Sequence, residues 1–196
     1  MLRYIQLKRG MDVVLSLAAM PVVLPLIATC AIAIRIDSEG PSFWMQERLG
    51  QHGKPFRMIK LRTMVRNAEQ LKASVLDEQT VHFKNTNDPR ITRVGRILRK
   101  TSLDELPQLF NVLRGEMSLV GPRPTSLNLV QYESWHEARL LVRPGITGLW
   151  QVRGRNAMSF DERVQLDLEY IENMSFMTDL GLMFSTLGVM IRGTGA

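Results

Sequence analysis

From residue 13 to residue 34 the chain carries 22 consecutive residues without a charge, bounded by Lys8, Arg9 and Asp12 before and by Arg35, Asp37 and Glu39 after. At about 1.5 Å per helical residue such a run can cross a hydrocarbon core of roughly 30 Å. A cleaved signal peptide has a shorter apolar region of about 7–15 residues and a small-residue cleavage site, whereas this run is longer and leads into charged sequence. Pro21 and Pro25 stand near its middle, four apart and therefore on one helical face. Each removes a backbone donor and clashes with the preceding turn, which predicts a sharp bend. Basic residues flank both ends: Arg3, Lys8 and Arg9 on one side, and Arg35, Arg48, Lys54 and Arg57 on the other. A spanning helix concentrates them on the cytoplasmic side. The pattern favours a re-entrant helix, which enters one leaflet and returns, over a simple span. Either path makes this a membrane protein, with residues 1–36 as the membrane helix and its flank and residues 37–196 as one continuous functional unit.

A length of 196 residues suits one domain. A net charge of +6, from 25 Lys and Arg against 19 Asp and Glu, favours anionic partners: nucleic acid, phosphorylated metabolite or acidic lipid. Nucleic acid is disfavoured, because aromatic residues make up only 7% of the chain and are not interleaved with the basic runs. Cys30 is the single cysteine and His52, His82 and His136 lack ligand spacing. This argues against zinc and for Mg²⁺ or Mn²⁺ held by carboxylate and phosphate oxygens.

The chemistry concentrates in residues 99–113, RKTSLDELPQLFNVL, where Asp104 and Glu105 open an apolar helical pattern of Leu106, Leu109, Phe110 and Leu113. Ser102 and Glu105 read as a Ser-x-x-Glu capping box. Pro107 fits more easily if the helix starts nearer Asp104. In both registers the Asp104 carboxylate meets backbone N–H groups and the positive end of the helix dipole, which lowers its pKa and attracts phosphate. On these residues alone, capping and catalysis both stand. An ionised aspartate beside a phosphate site is a nucleophile when a cation screens the two negative charges, and Arg96, Arg99 and Lys100 lie just upstream.

Elsewhere, residues 43–48 and 56–64 read as strands around the turn GQHGKP, with Lys60, Arg62 and Arg66 clustered at the end of the hairpin. Residues 67–79 read as a helix and 86–89 as a turn. Residues 91–100 set Arg93, Arg96 and Arg99 on one helical side, either solvated or turned to phosphate or membrane. In 117–124, MSLVGPRP, two prolines hold Arg123, which reduces the entropy its guanidinium loses on pairing with a phosphate. Residues 127–141 read as a structural helix. Residues 143–156, RPGITGLWQVRGRN, set Gly145, Gly148 and Gly154 among Arg143, Arg153 and Arg155, where glycines let backbone N–H groups approach an anion. An acidic amphipathic helix follows at 160–173. Residues 178–192 repeat Leu180, Met183, Phe184, Leu187 and Ile191, a stripe suited to a core or to the bilayer interface.

Taken together, these motifs resemble the bacterial sugar transferase family, the monotopic phosphoglycosyl transferases that begin assembly of exopolysaccharide, capsule, O-antigen or glycoprotein glycans. The resemblance rests on Lys8-Arg9 and Asp12, the proline in the apolar run, Lys60-Leu61-Arg62-Thr63-Met64, and TSLDELPQLFNVLRGEMSLVGPRP at 101–124. It continues through RPGITGLWQVRGRN and the acidic helix with Asp167 and Tyr170. It implies an α+β, predominantly helical fold: a catalytic domain on the cytoplasmic face of the bacterial inner membrane, a re-entrant helix broken at Pro21 and Pro25, and interfacial amphipathic helices. Family members often carry Ser-Pro at the break, whereas here Leu24 precedes Pro25 and Pro21 lies one turn earlier. The chain lacks the extra N-terminal spans of larger relatives and reads as a minimal catalytic unit.

The implied activity is transfer of a sugar-1-phosphate from a UDP-sugar to polyprenyl phosphate, usually undecaprenyl phosphate, with release of UMP. Asp104 takes the place of the nucleophile, Glu105 assists, and Mg²⁺ bridges this dyad and the diphosphate. Arg99 and Arg123 match phosphate-binding positions, Lys60 and Arg62 the basic pair before Thr-Met, and Arg143, Arg153 and Arg155 complete the substrate-binding candidates. Membrane lipid, a second copy of the chain and downstream glycosyltransferases are the further partners; nucleic acid is not among them. Trp150-Gln151 resembles relatives that use hexose donors, but the sugar stays open. The rival reading is a membrane-tethered basic binding or scaffold protein without catalysis.

Overall fold

The computed structural model describes residues 2–68, 70–71, 88–125, 132–153 and 158–191. Helix α1 (Leu2–Asp37) is continuous through Pro21 and Pro25, and 36 residues give it a contour of about 54 Å. The bend predicted at the prolines therefore does not interrupt the helix. Both prolines lie on its exposed side, and the Thr29 hydroxyl donates to the Pro25 carbonyl at 2.9 Å. Lys8, Asp12, Ser16, Met20, Ile27, Cys30 and Ile34 are buried. Their helical spacing draws one stripe that faces the protein from end to end. The opposite face exposes Val14, Leu17, Val22, Leu24, Ile32 and Ile36.

The expected hairpin forms from β1 (Phe43–Leu49) and β2 (Pro55–Leu61), paired antiparallel with Trp44 opposite Lys60. Helix α2 (Arg93–Thr101) follows. Its start is capped twice: the Thr92 hydroxyl accepts the Gly95 N–H, and Asp37, at the end of α1, accepts the Val94 N–H at 2.9 Å. A Cβ on Gly95 would lie 2.1 Å from the Thr63 carbonyl oxygen, so glycine is what lets α2 close onto the chain leaving β2.

Helix α3 (Gln108–Arg114) is short. Arg9 of α1 donates to the carbonyls of Val112 and Leu113 at 2.6 and 2.9 Å, a second donor for the first, which already accepts the Gly115 N–H, and a partner for the second in the last turn. Strand β3 (Ser118–Val120) pairs parallel with β4 (Gly145–Thr147). Between them Ser134–Leu141 is a 3-10 helix. It replaces the regular helix predicted over 127–141, of which 127–131 lie outside the described residues. Side chains three apart eclipse in a 3-10 helix, so His136 and Arg139 both turn inward and are buried.

Helices α4 (Leu149–Arg153), α5 (Phe160–Glu172) and α6 (Phe176–Ile191) complete the chain. Helix α5 forms where the acidic helix is expected, and it starts in a capping box between Ser159 and Glu162. Helix α6 turns Asp179 and Leu182 inward and exposes Phe176, Met177, Phe184 and Leu187, so its apolar stripe is only partly core. The helix predicted at 67–79 and the turn at 86–89 fall mostly outside the described residues. The α+β, predominantly helical class holds. One apolar cluster joins Ile27, Cys30 and Ile34 of α1 to Leu61 and Leu98, a second joins Phe56 and Met58 to Val112 and Met117, and a third gathers Val120, Leu149, Tyr170 and Leu182.

Candidate active site

The capping box read at Ser102 does not form. Ser102 takes a left-handed conformation (φ 55°) as the residue that ends α2, and its side chain caps nothing. Asp104 and Glu105 sit in the single 3-10 turn Leu103–Glu105, and α3 begins only after Pro107. Proline explains the delay, since it has no N–H to give and is tolerated only at the head of a helix.

Asn111 sets this turn against the hairpin. Its carbonyl oxygen accepts the Ile59 N–H at 3.0 Å and its amide donates to the Arg57 carbonyl at 2.8 Å, so α3 is bonded to β2 on both sides of Met58. Lys60, next along the strand, then reaches Glu105 with its ammonium at 2.9 Å. Arg123 meets the same carboxylate from the opposite loop with both terminal nitrogens, Nη1 to Oε2 at 3.1 Å and Nη2 to Oε1. This two-point geometry is the strong form of a guanidinium–carboxylate pair. Burial pushes the Glu105 carboxyl up, but Arg123 and Lys60 overwhelm it and hold the group far below the ordinary carboxylate range.

Asp104 is buried too, yet among the described residues no donor hydrogen-bonds its carboxylate. Burial, then the neighbouring Glu105 charge, pushes its pKa up to about 6, against the pull of Lys60, Arg99 and Arg123. The lowering expected from a helix terminus is thus reversed, because a lone 3-10 turn supplies little dipole while burial and a like charge act at close range. Arg99 is held by its Nε on the Thr63 hydroxyl at 2.9 Å. Arg48, on β1, adds a further cation; burial and then Arg123 lower its pKa to about 10. Three cations, Lys60, Arg99 and Arg123, thus act on two carboxylates, an excess of positive charge that suits a phosphate.

The loop carrying Arg123 is braced from behind. Arg139 donates from Nη2 to the Arg123 carbonyl at 2.7 Å, and the same nitrogen lies 2.5 Å from Asp167 of α5. Both side chains are buried, and burial, opposed by Arg139, pushes Asp167 up to about 6.

Other predicted residues go elsewhere. Arg62 turns away from the dyad and donates to the carbonyls of Ser38, Glu39 and Gly40, closing the end of α1. Arg143 lines a cavity with Lys8, Asp12 and Tyr170 beside the first turns of α1. Arg153 pairs with Glu169 on the surface at 2.6 Å, and Arg155 lies outside the described residues. Gly145 and Gly148 pack backbone on backbone: a Cβ on Gly145 would lie 2.1 Å from the Gly121 nitrogen, and one on Gly148 would lie 2.4 Å from the Gly121 carbonyl oxygen, while Gly154 lies outside the described residues. Among the described residues no group of three or more His, Cys, Asp or Glu is arranged to hold a metal. Asn111, Arg48 and Arg139 are the site and supporting residues that the sequence did not single out. The buried polar position of Asn111 within an apolar stripe was the available signal.

Comparison with known proteins gives a match to the family described as bacterial sugar transferase over residues 3–193. The chain is 43% identical, over 97% of its length, to the undecaprenyl-phosphate galactose phosphotransferase of Salmonella typhimurium, of which it covers 41%. It is 41% identical to the UDP-glucose:undecaprenyl-phosphate glucose-1-phosphate transferase of Caulobacter vibrioides, covering 96% of this chain and 71% of that one. It is 38% identical to the exopolysaccharide production protein ExoY of Sinorhizobium fredii, covering 96% and 87%. The chain spans about two fifths of the length of several curated relatives it matches.

Proposed function

The chain belongs to the bacterial sugar transferase family, and on that premise we propose that it transfers a sugar-1-phosphate from a UDP-sugar to polyprenyl phosphate and releases UMP. The carrying observation is Asp104: a buried carboxylate that accepts no hydrogen bond, with Lys60, Arg99 and Arg123 around it. An Asp104 oxygen attacks the sugar-bearing phosphorus of the donor. The bond from that phosphorus to the bridging oxygen breaks, and UMP leaves with the electron pair. An oxygen of the lipid phosphate then attacks the same phosphorus and frees the carboxylate. Splitting the transfer keeps two anionic substrates from crowding one site. Glu105 holds Lys60 and Arg123 at the height of the diphosphate and stays ionised throughout.

Mg²⁺ fits this donor set through the Asp104 carboxylate, with Glu105 alongside and substrate phosphates completing the shell, as is usual for this ion. When bound it would neutralise diphosphate charge.

We also read α1 as re-entrant, with the catalytic domain on the cytoplasmic side of the bacterial inner membrane. One domain grips both ends of the helix: Lys8 and Arg9 at the first, through Asp179 and the carbonyls of α3, and Asp37 at the second, through Val94. A span would put those polar contacts on opposite sides of a hydrocarbon core roughly 30 Å thick. The outward apolar faces of α1 and α6 then lie in one leaflet.

Purified protein in nanodiscs, given Mg²⁺, undecaprenyl phosphate and a panel of UDP-sugars, should release UMP with at least one donor, and Asp104→Asn should release none. Well-folded wild type that releases none with any donor would refute the reading and favour a binding or scaffold role. For the topology, cysteines placed at Gln6 and Ser38 should label from the same side of the membrane; labelling from opposite sides would establish a span.

A further inference from the structure

The open end of the hairpin, opposite its turn, leaves an apolar tip that neither the dyad nor the core uses. Phe43, Trp44 and Met45 open β1 with 40%, 51% and 56% of their surface exposed, and Ile32 and Ile36 at the end of α1 expose 62% and 82%. A shallow groove lined by Ile32, Arg35, Ile36, Pro41 and Phe43 joins the two. Among the described residues β1 pairs only with β2, so its other side is an open edge. Natural proteins seldom leave an apolar edge of this kind in water.

We propose that this tip is a second membrane contact, inserted into the lipid interface beside the last turns of α1; the inference rests on the reading that the outward face of α1 lies in lipid. Three observations choose lipid over a protein partner. Side chains alternate along a strand, so Phe43 and Met45 point to one face and Trp44 to the other. A docked protein would cover one face, whereas immersion covers both. Next, the turn between α1 and β1 is internally satisfied: Arg62 binds the carbonyls of Ser38, Glu39 and Gly40, and the Ser42 hydroxyl donates to the Ala31 carbonyl at 2.7 Å. Backbone near hydrocarbon has little water to supply those bonds, so the unpaired outer edge of β1 stays at the hydrated headgroup level. Last, Arg35 stands in the groove, where a long cationic side chain keeps its head among lipid phosphates while its stem lies on apolar surface.

The sequence turns polar at Gln46, Glu47 and Arg48, which sets the depth. Three strand residues at about 3.3 Å each reach about 10 Å, the depth at which interfacial side chains sit. Trp44 lies directly across from Lys60, whose ammonium binds Glu105. The tip therefore sets the dyad at the level of the lipid headgroups, where the phosphate of a membrane-held acceptor lies.

The test uses the full chain in nanodiscs containing lipids spin-labelled high on the acyl chain. With Trp135→Phe and Trp150→Phe, Trp44 is the sole indole, and its emission should be lost to the lipid label more than to aqueous iodide. Met45→Trp with Trp44→Phe in the same background reads the opposite face and should behave alike. Leu24→Trp, again with Trp44→Phe, reports on α1. If Leu24→Trp is quenched by lipid while the tip reporters answer to iodide, or to neither quencher as under a second protein copy, the inference is overturned and the placement of α1 stands. Quenching of one face only also overturns it. If Leu24→Trp itself escapes the lipid label, the placement of α1 fails first. A cooperative melt for each variant shows that the reporters sit in folded protein.

Discussion

Two buried charge clusters in this protein use the same ingredients to opposite ends. Where α1 meets α6, Asp179 accepts from Lys8, from the Tyr4 hydroxyl at 2.7 Å and from the Tyr170 hydroxyl at 2.7 Å. Beside it Asp12 accepts the Leu119 N–H at 3.0 Å and the Ser118 hydroxyl at 3.1 Å. At the dyad, Glu105 is as fully engaged, but among the described residues Asp104 accepts no hydrogen bond, although it too is buried. A carboxylate with all its donors in place fastens elements together. One that is buried, repelled by its neighbour and left without donors costs stability, a cost that sites of reaction bear.

The largest expected effects set the two aspartates against each other. Asp179→Asn leaves the Lys8 ammonium buried without its counter-charge and should cost about 3–5 kcal/mol, read as a fall in the denaturant midpoint. Asp104→Asn should do the reverse at pH 8, stabilising by about 1–3 kcal/mol because the fold disfavours the ionised form, while abolishing UMP release. If both variants destabilise alike, the contrast between the clusters is lost.

Titration sharpens it next. The folded pKa of Asp104 lies above its unfolded value, so protonation favours the fold and its stabilising share grows as pH falls from about 6 toward 4. Glu105 runs the other way: its depressed pKa gives stability present above the unfolded value and lost as pH falls below it. UMP release, which needs ionised Asp104, should drop about tenfold per pH unit below about 6. Unfolding measured over the same range should show a pH dependence that Asp104→Asn flattens. Activity that holds level down to pH 5 would mean that Asp104 is not the titrating group. The smallest effect belongs to Arg153→Ala, which breaks an exposed pair worth about 0.2–1 kcal/mol and should leave turnover within about twofold. A larger loss of turnover would return Arg153 to the substrate site.

What the sequence revealed of the site followed its local grammar. Asp104, Glu105, Lys60 and Arg123 lie in short motifs whose spacing and turn residues hold them together, and the hairpin was equally local. Arg62 parts from Lys60 because it lies one residue past the end of β2, where the carbonyls of Ser38, Glu39 and Gly40 take up its guanidinium. The 3-10 form of Ser134–Leu141 was hidden because its cause is distant: Arg139 is drawn to Asp167 and to the Arg123 carbonyl, 28 and 16 residues away. The raised pKa of Asp104 was equally illegible, since burial is a property of the packed chain and the capping pattern pointed the other way.

The grip of Lys8 on Asp179 spans 171 residues, and this orders events during synthesis. The first helix leaves the ribosome and can settle in lipid long before α6 exists. Until then Lys8 lacks the Asp179 carboxylate, whereas Asp12 needs only Ser118 and Leu119, made earlier. Contacts so distant in sequence form late, after local elements are in place. The last of these fastenings therefore waits on the arrival of α6, and a nascent chain stopped before residue 179 would hold its first helix through Arg9, Asp12 and Asp37 but leave Lys8 and Tyr4 without their acceptor.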